Sequence, residues 1–359
     1  MREYAVYRPD QLQDRDDRLI ESPSQNAEWA QGSVSPSGHL SAMKKILVVQ
    51  YSQTGQLSRI VDALCRPLAD SPDIELHVET LQPLKSFPYP WPFFEFLDVF
   101  PECVYLDPPP LQPLSVDADY PADLVILAYQ VWFLAPAPPI TAFLQSPEAQ
   151  ALLRDKPVIT LIGCRNMWTR AQETLKGLLD DCGARLLDNV VLTDQGSSLA
   201  TFVTTPRWLW TGRKNAFWGF PPAGVSEQDI SASCRFGKAI EAGLLEDAER
   251  GTGPMLHGLG AVNADVSLIQ SEKAGYRSFL VWGKLLRRVG RPGDPGRKPV
   301  LFLYVIFLVL MIVTVVPVTM LLKALLGPFM KQRHQQIKTY FEAPSGSGRE
   351  RMNQFGCDS

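Results

Sequence analysis

Between Lys298 and Lys323 the chain carries no charged residue. The 24 positions of "PVLFLYVIFLVLMIVTVVPVTMLL" are dominated by Val, Leu, Ile and Phe. A bilayer core of about 30 Å takes about 20 such residues in a helix, so the segment is long enough to cross and too long for a routine soluble core helix. Pro317 would kink such a helix without forbidding insertion. A membrane anchor over 299–328 is therefore expected, as a transmembrane helix or a re-entrant one. Lys284, Arg287, Arg288, Arg291, Arg297 and Lys298 precede it, and Lys323, Lys331, Arg333 and Lys338 follow. The small excess on the N-terminal side favours the cytoplasmic face of the inner membrane for the domain upstream. Residues 275–289 mix Tyr276, Phe279, Leu280, Trp282, Leu285 and Leu286 with basic residues, the pattern of an amphipathic surface helix running into the anchor.

Upstream, two periodicities alternate. Short apolar, β-branched runs predict strands over 46–50, 74–81, 123–129, 158–163 and 186–192. Apolar residues at intervals of three and four predict helices over 56–68, 140–153 and 169–182, and Ser226 with Asp229 three residues on starts another, 230–245. Strands that are continuously apolar and separated by helices imply a parallel sheet covered on both faces. The expected fold is doubly wound α/β with a five-stranded parallel sheet over 43–250. A linker and juxtamembrane segment, 251–298, and a polar tail, 329–359, flank the anchor. Residues 1–42 are polar, lack an apolar core for a signal peptide, and read as a disordered tail, with Met43 the expected start of translation.

Two segments break this economy. Residues 83–114 hold Phe87, Tyr89, Trp91, Phe93, Phe94, Phe96 and Phe100 among prolines that exclude a regular strand or a long helix. Such rings need cover, as a plug on the sheet edge, a lid over a pocket or a membrane-contacting surface. Residues 204–224 are expected to be irregular too, with Trp208, Trp210, Phe217, Trp218 and Phe220 beside Arg207, Arg213 and Lys214.

A net charge of −3 gives no electrostatic basis for nucleic-acid binding. Cys65, Cys103, Cys164, Cys182, Cys234 and Cys357 have no paired spacing and read as free thiols of a reducing compartment. The four histidines are scattered, so no metal site is expected.

The candidate chemistry lies where the first strand meets the first helix, in "KKILVVQYSQTGQLSRIVDAL". A strand feeding a helix through a Gly-containing turn aims N–H groups and a helix dipole at one point, which suits an anion. No Lys or Arg lies between Tyr51 and Ser58, and neither GxxxxGK[ST] nor GxGxxG is present. A nest of this size suits one phosphate monoester.

"YSQTGQLSRIV" resembles the phosphate loop of the flavodoxin superfamily: Ser52, Thr54 and Gly55 match, while Leu57 stands where the family normally has a hydroxyl. The resemblance implies FMN, with its phosphate on Ser52, Gln53, Thr54, Gly55, Gln56 and Leu57. It further implies ring contacts from the loops after the third and fourth strands: Val131, Trp132 and Phe133 in "YQVWFLAPAPP", and Gly163, Cys164 and Arg165 in "GCRNMW". Tyr129 and Arg165 are candidates for proton donor and anion clamp, Trp168 is a ring contact or core, and no catalytic acid or base is named. With the proline–aromatic insertion and the apolar C-terminal segment, the chain also resembles the flavodoxin-like "dialkylresorcinol condensing enzyme" proteins of dialkylresorcinol and aryl-polyene pigment biosynthesis. Carbon–carbon condensation needs an activated Cys with His or Asn partners, which Cys164 lacks in sequence. The expected function is therefore a membrane-anchored FMN-dependent oxidoreductase acting on a lipophilic aromatic or pre-aromatic compound, with NAD(P)H or other biosynthetic enzymes as partners. The alternative is a cofactor-free scaffold in a membrane-bound biosynthetic complex.

Overall fold

A computed structural model describes residues 43–326 and 331–357; the expectations for 1–42 lie outside them. Five parallel strands form the sheet: β1 (Lys44–Gln50), β2 (Ile74–Thr80), β3 (Leu124–Trp132), β5 (Pro157–Cys164) and β6 (Arg185–Thr193). Their spatial order is β2-β1-β3-β5-β6, and β4 (Ala135–Pro136) adds a two-residue antiparallel rung to β3. This is the doubly wound order whose winding reverses between β1 and β3, and ligands of such sheets bind in the crevice at the carboxyl end of that reversal. Ile46–Val49, Leu124–Tyr129 and Ile159–Ile162 have at most traces of exposure, as strands covered on both faces require.

Helices α1 (Gln56–Asp70) and α6 (Thr169–Asp181) form as the apolar spacing predicts. The helix expected over 140–153 is instead two, α4 (Pro138–Leu144) and α5 (Pro147–Leu153). Pro147 supplies no N–H to continue α4, and the Ser146 hydroxyl restarts the chain by accepting from Ala149 N at 3.1 Å. The next helix is likewise split into α8 (Glu227–Ser231) and α9 (Cys234–Leu245), with Ser226 capping α8 as expected. Residues 83–114 contain only the short helices α2 (Phe93–Asp98) and α3 (Phe100–Val104). The segment expected to be irregular over 204–224 is in part a correction: α7 (Thr201–Thr211) carries Pro206 within it and ends on Gly212 in the left-handed conformation.

The C-terminal third departs most from the sequence reading. α10 (Val266–Val289) is longer than the predicted surface helix and buries Ile269, Glu272, Tyr276, Gly283 and Leu286. α11 (Arg297–Leu326) is the charge-poor segment, and its 18-residue window Arg297–Thr314 has mean hydropathy 2.0 with 17% of it buried. That makes it long and apolar enough to cross a membrane by length and composition.

The supposed linker and tail are structural. Met255, Leu256, Leu259, Ala261, Val262 and Ala264 join the main core, and Val191 N donates to Ala261 O at 2.9 Å along the free edge of β6. After α12 (Lys331–Glu342) the chain returns to the same edge: Gly260 N donates to Gly348 O at 2.6 Å and Arg351 N to Gly258 O at 2.9 Å. Buried Asp188 ties both layers, accepting from Met255 N (2.8 Å), Leu256 N (3.1 Å) and Ser345 Oγ (2.7 Å). Cys234 and Cys357 form a disulfide across a separation of 123 residues, which corrects the reading of six free thiols and removes the cysteine argument for a reducing compartment. The remaining four are free, and three of them are buried.

Candidate functional site

The turn from β1 to α1 lies at the β1/β3 reversal. Gly55 is the N-cap of α1 with φ +77°, a conformation an L side chain adopts only under strain, and nothing stands within 4 Å of where its Cβ would be. No side chain caps the helix. Ser52 Oγ is buried without a hydrogen-bond partner. Thr54 Oγ1 lies 3.5 Å from Gln56 N, and Gln53 N donates to Gln130 Oε1 at 3.2 Å. Two assigned side chains turn away from the nest. Gln53 donates its amide to Pro88 O at 2.8 Å, and Gln56 pairs its amide with Val225 through both N and O.

The side chain of Leu57 lies in the core, which leaves its N–H, on the second residue of α1, for the phosphate contact expected of it. Leu57 is 1% exposed, and its Cδ1 lies 3.1 Å from where a Cβ on Gly163 would stand. The family hydroxyl is thus replaced by a packing contact that needs Gly163 opposite it, so Gly163 serves close approach of β5 to α1.

The second loop is a tight hairpin. Val131 pairs with Pro136 and Trp132 with Ala135, which leaves Phe133 (φ 50°) and Leu134 (φ 63°) as the two turn residues, both left-handed. Asn-Gly would be the usual choice at such a turn; large apolar residues there carry strain of about 1–3 kcal/mol each. Packing holds them in place: Phe133 lies against Phe96, Phe100 and Phe279, with centroids 4.9, 5.8 and 5.8 Å away. Trp132 points to the other side, to Tyr51 (6.1 Å), Phe87 (5.1 Å) and Trp91 (5.6 Å). Phe133 is therefore placed away from the β1 turn, while Trp132 sits beside Tyr51 at its edge.

In the third loop, Arg165 Nε donates to Thr201 Oγ1 at 2.7 Å and one Nη to Ser198 O at 3.2 Å, with the guanidinium over the Phe202 ring at 4.1 Å. Burial lowers its pKa to about 10, against the opposing effect of Asp194. Asn166 Nδ2 donates to Ser198 Oγ, while its buried Oδ1 has no partner. Trp168, 1% exposed, is core. Tyr129 is also core: its hydroxyl donates to Gln172 Oε1 at 2.7 Å inside the sheet–helix layer, and burial raises its pKa well above the ordinary value, which opposes the proton-donor role. The Cys164 thiol is likewise pushed up, chiefly by burial and further by Glu272 and Asp194, which opposes a nucleophilic thiolate.

Several contributors were invisible in sequence. Asp194, at the end of β6, accepts from Gly196 N (2.7 Å) and Gly224 N (2.5 Å), and its own N donates to Cys164 O and Arg165 O at 3.0 Å. It links the third loop to the Gly224–Val225 corner that holds Gln56. Its position directly after an apolar strand was the one available signal.

The two aromatic segments, a hundred residues apart, meet over this edge. Trp91 N donates to Leu209 O at 2.8 Å, and Phe93 and Trp210 lie 5.0 Å apart. Trp91 Nε1 is buried without a partner. Beside them opens a cavity of 1130 Å³, which reaches from Phe87 and Pro88, next to Gln53, past Trp91, Phe93 and Arg287 to Leu301 on α11.

No protein-family model and no curated protein matches the chain. Among solved structures it is similar to a flavoprotein in complex with FMN from Lactobacillus acidophilus, at 16% identity over 42% of this chain and 93% of that one, TM-score 0.33. The apo-form of that flavoprotein gives 17%, 41%, 91% and 0.31. An archaeal flavodoxin gives 10%, 55%, 99% and 0.30. Likenesses this distant carry no weight beside the strand order, on which the flavodoxin-like fold rests here.

Proposed function

We propose that the chain is a membrane-associated, flavodoxin-like flavoprotein that holds FMN at the carboxyl end of β1, β3 and β5. One observation carries this reading: the crevice at the β1/β3 reversal brings together an uncapped helix N-terminus opening on Gly55 and the buried, unpartnered Ser52 Oγ. The third loop adds Asn166 Oδ1 and the covering insertion adds Trp91 Nε1, both also buried and unpartnered. Buried polar groups are normally paired, so these atoms fit a polar ligand. Ser52 to Gly55 and the first N–H groups of α1 would hold the phosphate; Trp132, Gly163 and Asn166 would frame the ring; Arg165 and Asp194 would fix the third loop. When bound, the flavin supplies hydride or single-electron chemistry, and the protein supplies position and exclusion of water.

The substrate class follows from the surroundings. The cavity next to Gln53 and Pro88 reaches the root of α11, with an apolar wall of Phe87, Trp91, Phe93 and Leu301 beside charged residues that include Lys85, Glu95, Arg287 and Lys298. A lipophilic aromatic or pre-aromatic compound, such as a dialkylresorcinol precursor, suits that wall and would arrive from a membrane, at its cytoplasmic face. NAD(P)H or a neighbouring biosynthetic enzyme would close the redox cycle.

The rival reading is a cofactor-free docking scaffold, favoured by the Gln53–Pro88 and Gln56–Val225 bonds that tie the loop's side chains into the protein. An absorbance spectrum separates the two. The full chain is purified in detergent with excess FMN and desalted; retained flavin bands, lost in Gly55→Val, support the flavoprotein. A folded, colourless protein would leave the scaffold standing.

A further inference from the structure

α11 leaves the domain at Arg297, which is fully buried and ion-paired with Asp98 at 2.9 Å and Glu102 at 3.2 Å. Over its next turns the helix has two different apolar sides. Leu301 and Tyr304 are buried, and Val300, Val305, Phe307 and Leu308 pack in part against the same aromatic cluster as Phe100 and Phe279. Phe302, Leu303, Ile306, Val309, Leu310 and Val313 are each 43–66% exposed. At about 100° per residue those six fall within one arc of roughly 120°. The first half of the helix is thus a strip, sealed to the protein on one side and apolar to the surroundings on the other.

The chain then comes back. Tyr340 on α12 donates to Glu173 Oε2 on α6 at 2.9 Å, and Glu342 accepts from Ala264 N at 3.0 Å. Beyond α12, Ser345 binds Asp188 and Asn189 N (2.7 Å each), and Cys357 is bonded to Cys234. Both flanks of α11 therefore belong to one folded body.

Both facts oppose a single pass. Only residues 309–322 lie beyond the packed strip and before Lys323. At 1.5 Å per residue they reach about 21 Å, short of the roughly 30 Å hydrocarbon layer. A crossing would also strand residues 334–357 on the far side, away from Glu173, Ala264 and Asp188. A second crossing to bring them home would take Lys331, Arg333, His334 and Lys338 through lipid, at high cost. Basic residues on both flanks of the apolar run fit one cytoplasmic side for both ends.

We propose that α11 is a monotopic insert: it lies within one leaflet of a phospholipid bilayer, with Phe302, Leu303, Ile306, Val309, Leu310 and Val313 toward the acyl chains and both helix ends on the same side. The proposal rests on the membrane-associated reading above and replaces the spanning helix by one that does not cross. The elements that touch α11 extend the same apolar surface, with Phe94 on α2 (42% exposed) and Val281 (70%) and Leu285 (44%) on α10.

Topology mapping tests it. Single reporters at exposed Ser86 and Asn353, S86C and N353C, are made in the full chain and treated with a membrane-impermeant maleimide, in spheroplasts and in inverted vesicles, with the parent protein as blank. The expected result is membrane-bound protein with both reporters labelled in inverted vesicles and both protected in spheroplasts. Reporters on opposite sides would overturn the monotopic geometry while leaving membrane attachment intact. Protein found only in the supernatant would overturn the membrane reading itself. As a second readout, Ile306→Glu with Leu310→Glu lowers the membrane-bound fraction about tenfold or more, because two charges are set against acyl chains. An unchanged circular-dichroism spectrum distinguishes this from misfolding, and an unchanged bound fraction in a folded double variant would contradict the assigned face.

Discussion

Trp132 and Phe133 are neighbours in sequence and members of different clusters. Trp132 joins Tyr51, Phe87 and Trp91 beside the β1 turn, whereas Phe133 joins Phe96, Phe100 and Phe279 at the root of α11, where Tyr304 stacks on Phe100 at 4.7 Å. Both border the cavity, and Trp91 and Phe96, 5.7 Å apart, join them; the second has the fully buried Phe100 and Tyr304, at 0% and 1% exposure, at its centre. Phe133 is the first of the two left-handed residues of the tight turn that follows Trp132. The strained hairpin therefore does what a relaxed Asn-Gly turn would not: it puts one ring at the candidate cofactor site and the next against the root of α11. The proline–aromatic insertion supplies the partners on both sides, so plug and lid are two functions of one segment.

Breaking the second cluster has the largest expected effect. Phe100→Ala removes a fully buried ring and should cost about 3–5 kcal/mol in denaturant unfolding. A loss under about 1 kcal/mol would mean that α11 and the insertion are not packed together as described.

The next effect concerns Glu272, the buried group on α10 that joins the two regions from behind. Its carboxylate accepts from Thr169 Oγ1 and Arg170 N, both at 2.8 Å, and so caps α6 directly after the third loop. Burial raises its pKa from 4.5 to about 7, against those hydrogen bonds. The folded state then binds the proton more tightly than the unfolded one, so this group's contribution to stability falls as pH rises from about 4.5 to about 7. The loss is on the order of 3 kcal/mol. Glu272→Gln should flatten that slope in unfolding midpoints taken across the interval, and an unchanged slope would remove Glu272 as its source.

Trp132→Ala sharpens the contrast between the clusters. It should weaken FMN retention about tenfold, the worth of one ring contact of ~1.4 kcal/mol, and leave the membrane-bound fraction as it was. Phe279→Ala should do the reverse. Equal effects of both on either readout would dissolve the distinction.

The smallest expected effect is Ser52→Ala. A buried hydroxyl without a partner contributes little to the apo protein, so its unfolding midpoint should hardly move. FMN affinity should fall about fivefold, for one hydrogen bond of ~1 kcal/mol. A stabilised apo protein with unchanged flavin titration would place the phosphate elsewhere.

The five parallel strands were legible in sequence because strands covered on both faces read as short continuous apolar runs, and the helices α1 and α6 because their apolar residues recur with the period of 3.6. The Ser52–Gly55 turn was legible for the same local reason, since a left-handed N-cap needs Gly55 wherever the rest of the chain goes. The direction of the Leu57 side chain was not legible, because a motif position does not say which way a side chain faces, and Gly163, more than a hundred residues away, opens the space it fills. Asp194, the Gly224–Val225 corner and the pairing of Trp91 with Leu209 lie outside local pattern altogether.

The C-terminal third draws the line most clearly. Composition alone makes the run from Pro299 to Leu322 long and apolar enough to favour leaving water, because the hydrophobic effect is close to additive in apolar area and needs no knowledge of neighbours. Whether such a helix crosses a bilayer depends on where its two ends are held, and that is a matter of long-range contacts. The burial of Arg297 against Asp98 and Glu102, the seat of Ser345 on Asp188 and the bond from Cys357 to Cys234 hold both ends to one body, which only the tertiary structure could decide.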